Sequence, residues 1–335
     1  MEHETQPQKK VLLIGGAGYI GSVLTEFLLE KNYYVRSLDF LLYQNHFAIS
    51  SFLNHKNFEF IYGDFINESI LALALQDITD VVILAGLVGE PITNKYPQLS
   101  NKINYEGIKK LIYNLNSKEL DRVIFISTCS NYGLLGIHDV ADENFTLKPL
   151  SLYAKAKVAI EQELLSLKGK INYCPIILRF ATAFGVSPRM RFDLTVNQFT
   201  RDLFFNKELE IYDAETWRPY CHVKDFSRLI FQILETPRDK VSFEVFNVGE
   251  DSSNFTKKMI IEEIKAYFPS ARVFYKKNGQ DKRNYRVAFK KVYEYFSFKP
   301  SYSISDGIRE LILGLKKDIY SKSDHLYGNF EINYL

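Results

Sequence analysis

The 335-residue chain has little of what several protein classes are built from. It holds three cysteines, Cys129, Cys174 and Cys221, which lie far apart and show no C-x-x-C spacing. That spread argues against a disulfide framework or a structural zinc site and fits a reducing compartment. Long apolar runs are missing too: the longest clean one covers about eight residues at 81–88, against roughly 20 needed to cross a bilayer. Net charge is only +2, from 42 basic and 40 acidic side chains, so there is no electrostatic case for nucleic acid or an acidic membrane as a partner. The opening ten residues, MEHETQPQKK, are polar and lack the apolar core of a secretory signal, so a cytoplasmic protein is expected. The sequons at Asn67, Asn144 and Asn254 then read as chance. His3, His46, His55, His138, His222 and His325 show no metal-ligand spacing, and no metal is expected. There is no G-x-S-x-G elbow, no Walker lysine, no internal repeat and no low-complexity linker.

Apolar residues, by contrast, make up 46% of the chain, and 22 Tyr, 26 Phe and one Trp are spread along it. Such a supply builds a large core and excludes disorder. Strand-like runs fall at 11–14, 34–38, 58–62, 81–84, 123–126 and 174–178, with helix-like stretches at 20–31, 69–76, 99–115 and 153–167. Near-continuous Val/Ile/Leu strands are buried on both faces, so the alternation predicts a doubly wound α/β domain with a parallel sheet. After about Arg179 the rhythm breaks, and Pro188, Pro219, Pro237, Pro269 and Pro300 punctuate short elements. We expect a dinucleotide-binding domain over 1–178 and a smaller mixed α+β substrate domain over 179–335, with the chain returning to the first near 241–249. A cleft at their interface is the default ligand site. The Tyr/Phe-rich tail, 320–335, either packs on the body or covers a partner, and both remain open.

The strongest local signal is Val11-Leu-Leu-Ile-Gly15-Gly-Ala-Gly18-Tyr-Ile-Gly21, a buried strand leading through a glycine turn into a helix. Gly15 suits the tight turn, Gly18 the approach of a pyrophosphate, and Gly21 close helix–strand packing. Asp39 follows Gly21 by 18 residues, at the end of the second strand, where a carboxylate binds ribose hydroxyls and repels a 2′-phosphate; NAD is the expected cofactor. The second signal is Tyr153-x-x-x-Lys157, 25 residues after Thr128. A phenol is a weak base at its ordinary pKa of about 10. An ammonium one helical turn away would lower that value and make it useful as a base. By itself the pair is a common helix-surface feature. Thr128, at the end of a strand-like run, adds a hydroxyl where this architecture binds ligands.

These residues, together with Gly63-Asp64, Leu84-Ala-Gly86, Asn104, Ser127-Thr-Cys-Ser-Asn-Tyr-Gly133, Arg179-Phe-Ala-Thr-Ala-Phe-Gly185, Tyr220-Cys-His-Val-Lys-Asp225 and Asn247-Val-Gly249, resemble an extended short-chain dehydrogenase/reductase of the NAD-dependent epimerase/dehydratase kind that acts on nucleotide sugars. The resemblance covers nearly the whole chain and implies a Rossmann-type first domain. It implies that Gly15, Gly18, Tyr19, Ile20, Gly21 and Asp39 hold the dinucleotide, that Asp64 and Phe65 flank the adenine, and that Leu84, Ala85 and Gly86 line the nicotinamide ribose side. Thr128, Tyr153 and Lys157 would be the catalytic set, the latter two also touching the cofactor. Asn197, Arg218 and Arg283 fall where the family binds the substrate's nucleotide and diphosphate, and Arg189 and Arg191 are further diphosphate candidates because guanidinium matches phosphate bidentately. The segment from Phe184 to Asn197, with Leu87-Val-Gly-Glu-Pro91 and Asp281-Lys-Arg-Asn-Tyr285, resembles a subgroup from bacterial polysaccharide gene sets. That subgroup includes a dehydrogenase acting at C4 of a GDP-linked heptose for capsule synthesis.

Departures from the family narrow the chemistry. The 4,6-dehydratases carry Asp-Glu after the catalytic Thr, where this chain has Cys129 and Ser130. Some 3,5-epimerising relatives place a Cys where Ser130 stands, and Thr182 replaces an Asn common in sugar 4-epimerases. C4 dehydrogenation or 4-epimerisation is the expectation, on a GDP-, UDP-, CDP- or dTDP-linked sugar. The alternatives are 4,6-dehydration, 4-keto reduction or a non-catalytic dinucleotide sensor. The family also implies a homodimer through a four-helix interface, here 99–115 and 153–167 from each subunit, where apolar residues recur at helical spacing. The competing reading is that those residues pack on the sheet.

Overall fold

The computed structural model describes residues 9–116, 118–136, 138–279, 281–320 and 327–332. The polar opening with His3, and His325 in the tail, lie outside the described residues. Twelve strands follow in chain order: β1 (Lys10–Ile14), β2 (Tyr34–Asp39), β3 (Phe58–Tyr62), β4 (Asp80–Ile83), β5 (Arg122–Thr128), β6 (Cys174–Phe180), β7 (Thr182–Phe184), β8 (Leu209–Tyr212), β9 (Trp217–His222), β10 (Glu244–Val248), β11 (Asn254–Thr256) and β12 (Val273–Lys276). Seven form one parallel sheet in the order β10-β6-β5-β4-β1-β2-β3. The six strands read from the sequence all lie in it, and β10 joins its edge beside β6.

Alternation along each strand explains why the runs look continuous. Leu13, Val35, Val82, Ile124 and Ile176 enter the core on one face, while Leu12, Ile14, Val81, Val123 and Ile177 enter the core on the other. The helices are α1 (Tyr19–Glu30), α2 (Glu68–Ala74), α3 (Glu90–Lys95), α4 (Pro97–Asn101), α5 (Ile108–Leu115), α6 (Leu152–Ser166), α7 (Thr195–Phe204), α8 (Val223–Glu235), α9 (Arg238–Val241), α10 (Lys257–Lys265), α11 (Lys290–Phe296) and α12 (Ile304–Lys316). The single helix expected over 99–115 is interrupted by a π-helical turn, Lys102–Gly107. That turn carries buried Asn104, whose amide accepts from Leu87 N at 2.7 Å and donates to Leu87 O at 2.9 Å, fixing the loop after β4.

The second half adds a three-stranded sheet, β11-β9-β7, and a two-stranded pair, β12-β8. α7, α10 and α12 close a smaller apolar core around Phe184, Val196, Ile260 and Ile308. The glycine turn after β1, Asp39 of β2, the loop after β4 and Thr128 of β5 all open at the carboxyl edge of the main sheet. Among the described residues, no helix is long and apolar enough to cross a membrane.

Candidate active site

One cavity of about 520 Å³ runs along that edge and continues against the second half of the chain. Gly15, Gly18, Tyr19, Ile20, Gly21, Asp39, Asp64, Phe65, Leu84, Ala85 and Gly86 all line it. Gly15 has φ +87°, and a Cβ there would lie 2.7 Å from Ala85 N, so the turn admits only glycine. A Cβ on Gly21 would sit 2.6 Å from Gly16 Cα, the close helix–strand packing that its place in the motif requires. Asp39 accepts hydrogen bonds from Ala17 N at 3.0 Å and Leu41 N at 2.8 Å, tying the glycine turn to the end of β2. Burial raises its carboxyl pKa, opposed by those two N–H groups and by Arg189. The cavity is built to hold a dinucleotide: the turn leaves room for a diphosphate at the start of α1. Two buried polar atoms beside it, Tyr43 Oη and Asn45 Oδ1, have no hydrogen-bond partner among the described residues.

Thr128, Tyr153 and Lys157 line the same cavity. Ser151 caps α6 by accepting from Ala154 N at 3.1 Å, which sets Tyr153 in the first turn and Lys157 one turn on. Lys157 is buried, donates to Ile126 O at 2.6 Å, and lies 5.7 Å from the Tyr153 ring centroid. Burial pushes the Tyr153 phenol up to about 12, and Arg191 is the cation that opposes the rise. The sequence led us to expect Lys157 to lower that phenol. Its ammonium is instead directed at the strand carbonyl, and burial pulls its own pKa down to about 7 against the attraction of Glu161.

Beneath these residues lies a polar network that sequence reasoning missed. Glu161, one turn after Lys157 and 1% exposed, accepts from Ser127 Oγ, from Asn131 Nδ2 at 2.8 Å and from Arg179 Nη2 at 2.7 Å. Arg179 also donates to Tyr132 Oη at 3.0 Å, and Tyr132 bonds Asn247 Oδ1 at 2.7 Å. The network ties β5, β6, β10 and α6 together and so fixes Thr128 relative to Tyr153. Arg179, Tyr132 and Asn247 stand in the matched motifs, and the i+4 spacing of Glu161 from Lys157 was the available signal for the fourth member. His222, fully buried, caps α8 and meets Glu310 at 2.6 Å, as a structural residue would.

At the far end, Arg218 and Arg283 face the cavity and both contact Asp281, at 3.2 and 2.8 Å. Burial would raise the Asp281 carboxyl, yet Arg283 and Arg218 hold it well below the usual range. Lys257 and Tyr285 line this end too, and Tyr285 Oη lies 3.2 Å from Ser130 Oγ. Of the remaining three expected contacts, Arg189 and Arg191 line the cavity and Asn197 does not. Asn197 is fully buried, does not line the cavity, and has its amide occupied by Gly185 N, Arg191 O and Tyr19 Oη. Arg189 and Arg191 line the cavity from a segment that Ser187 docks on α1 through Tyr19 O at 2.7 Å and Ser22 Oγ at 3.1 Å; Arg189 stands by Tyr43, and Arg191 stands by Gly89, next to the Glu90 that Arg283 meets at 3.0 Å.

A doubly wound sheet, a glycine turn and a Tyr–Lys pair share one cavity, as in a dinucleotide-dependent enzyme. The sequence pattern of the NAD dependent epimerase/dehydratase family matches residues 11–249, and the chain belongs to that family. It is thus an enzyme of the nucleotide-sugar epimerase/dehydratase type with NAD as its cofactor. The uncharacterized UDP-glucose epimerase of Bacillus subtilis is 26% identical over 89% of this chain and 95% of its own. A low-salt glycan biosynthesis protein of Haloferax volcanii is 26% identical over 90% of this chain and 97% of its own. The crystal structure of UDP-glucuronic acid 4-epimerase from Bacillus cereus, with UDP-glucuronic acid and NAD, superposes with a TM-score of 0.82 at 26% identity, covering 93% of this chain and 100% of that one.

Proposed function

We propose that the chain oxidises the C4 hydroxyl of a nucleotide-activated sugar for surface polysaccharide synthesis in a bacterial cytoplasm. The observation that carries this reading is that Thr128 and Tyr153 open on the cavity whose two ends hold the glycine turn and the Arg218–Arg283 pair. NAD, held by the glycine turn and Asp39, would supply the hydride acceptor and a positive charge. Tyr153, as phenolate, takes the proton of the C4 hydroxyl, Thr128 donates a hydrogen bond to the same oxygen, and Lys157 holds the nicotinamide ribose. Arg218 and Arg283 take the substrate's diphosphate, a fork-to-phosphate match.

Dehydration has little support. Cys129 is buried, donates to Arg179 O at 3.1 Å, and burial raises its thiol far above the usual range. Release of the keto sugar makes the enzyme a C4 dehydrogenase, as in the GDP-heptose subgroup that the segment 184–197 resembles. Re-reduction on the other face makes it a 4-epimerase, as the name of the Bacillus cereus enzyme indicates for that protein. The test is turnover with GDP-, UDP-, CDP- and dTDP-linked sugars, read by NADH absorbance and by product identity. Absence of both NADH and an altered sugar across the panel would remove the reading.

A homodimer through α4–α5 and α6 belongs to the same proposal. The apolar residues Ile108, Leu111, Ile112, Ile160 and Leu164 are all buried against the sheet, so the face left for a partner is smaller and includes exposed Leu152 and Leu165. Light scattering at micromolar concentration that gives a monomer mass would reject the dimer.

A further inference from the structure

Arg189 and Arg191 line the cavity from the segment docked on α1. Arg189 is 2% exposed and lines the cavity, yet it pairs with no carboxylate among the described residues. Its guanidinium donates to the carbonyls of Met190 at 3.2 Å and Gly328 at 3.0 Å and lies 5.0 Å from the Tyr43 ring centroid. Arg191 lines the same stretch of wall, paired with Asp193 and 3.7 Å from where a Cβ on Gly89 would stand. Burial and the neighbouring Arg191 pull the Arg189 pKa down to about 10, against the opposing pull of Asp193, Tyr43 and Asp39.

Their position is set by the docking of segment 185–192 on the first turn of α1. Tyr19 Oη donates to Gly185 O at 2.6 Å, Ser187 binds Tyr19 O, and Met190 and Phe192 pack on Tyr19 and Val23. The segment that carries both arginines is therefore docked on the helix whose first N–H groups already favour an anion. Segment 327–332 covers them from outside. Tyr327 O accepts from Phe192 N, Gly328 O accepts from Arg189, Asn329 donates to Val88 O at 2.8 Å, and Ile332 packs on Leu87 and Ile92. The segment thus joins the arginine-bearing segment to the loop after β4, with Asn329 and Phe330 on the cavity wall.

We propose that Arg189, assisted by Arg191 and held in place by segment 327–332, is a second anchor for the diphosphate of the bound dinucleotide, facing the glycine turn across the groove. Asp193 and Asp39 act on Arg189 only from beyond salt-bridge reach, so a diphosphate would give this buried guanidinium its first direct counter-charge, and its planar fork suits two phosphate oxygens. The proposal concerns retention of the cofactor and is independent of the sugar chemistry above.

The test uses the full chain stripped of cofactor, titrated calorimetrically with adenosine, ADP and NAD. Arg189→Met should weaken ADP and NAD by about 10- to 100-fold, the scale of one or two charge-assisted hydrogen bonds, and leave adenosine unchanged. Arg189→Lys keeps the charge without the fork and should fall between wild type and Met. Unchanged ADP affinity in Arg189→Met overturns the proposal, and so does an equal loss for adenosine and ADP, which would mark a merely structural arginine. If the Met variant does not fold, an ADP-to-adenosine preference in Arg189→Lys equal to that of wild type overturns it as well.

Discussion

Lys157 offers a sharp physical test, because its ammonium is buried and lies 2.6 Å from a strand carbonyl. Burial brings its pKa from the ordinary 10.5 to about 7 in the folded protein. The unfolded chain therefore binds more protons than the folded one between those two values. Stability then rises with pH across this window, and the full penalty of the buried cation is present below pH 7. Each pKa unit corresponds to about 1.4 kcal/mol, so raising the pH from 7 to 9 should recover about 2 kcal/mol through this residue alone. Lys157→Met removes the titration while filling similar volume beside Phe125, whose ring centroid is 4.5 Å from the ammonium. The measurement is urea unfolding of cofactor-free wild type and Lys157→Met at several pH values. Relative to the variant, wild type should gain about 2 kcal/mol between pH 7 and pH 9. A stability difference that stays constant with pH would refute the reasoning, since it would mean that Lys157 keeps an ordinary pKa in the fold.

Other outcomes follow from the same geometry. Tyr153→Phe should lower kcat by about 10²–10⁴-fold with folding and NAD binding intact, checked by steady-state kinetics and cofactor titration. Glu161→Ala leaves Arg179 buried without its partner and should cost about 3–5 kcal/mol in chemical denaturation. Arg218→Ala should raise KM for the nucleotide sugar and leave NAD affinity unchanged, read by kinetics against calorimetry. Asp39→Asn removes the carboxylate that repels a 2′-phosphate, so the measured preference for NAD over NADP should shrink.

The large sheet was legible because its strands are buried on both faces, and short unbroken Val/Ile/Leu runs between amphipathic stretches suit that setting better than any half-exposed one. The glycine turn was legible for a related reason: Gly15 and Gly21 stand where a Cβ meets backbone, so the motif is steric rather than statistical. Tyr153 and Lys157 were found by helical spacing, but their electrostatics were not, because burial and a carbonyl of a distant strand outweigh an i+4 neighbour. Arg189 and Arg191 were grouped with Arg218 and Arg283 as diphosphate candidates, and all four line the cavity. Arg218 and Arg283 were set apart by their motifs, whereas the burial of Arg189 and Arg191 comes from the docking of Ser187 on Tyr19, which local sequence does not show. The π turn at Lys102–Gly107 coincides with a five-residue step between the core residues Ile103 and Ile108, a break in the helical spacing that the sequence reading passed over.

Hydride removal from C4 is the step on which the proposed chemistry stands, and isotope substitution tests it most directly. A nucleotide sugar that the enzyme turns over is prepared with deuterium at C4 and, separately, at C3 and C5. Single-turnover appearance of NADH is followed with each. C4 deuteration alone should slow the reaction, and the deuterium should be found in the reduced cofactor. Slowing by C3 or C5 deuteration with none at C4, or NADH that carries no label from C4, would contradict C4 oxidation.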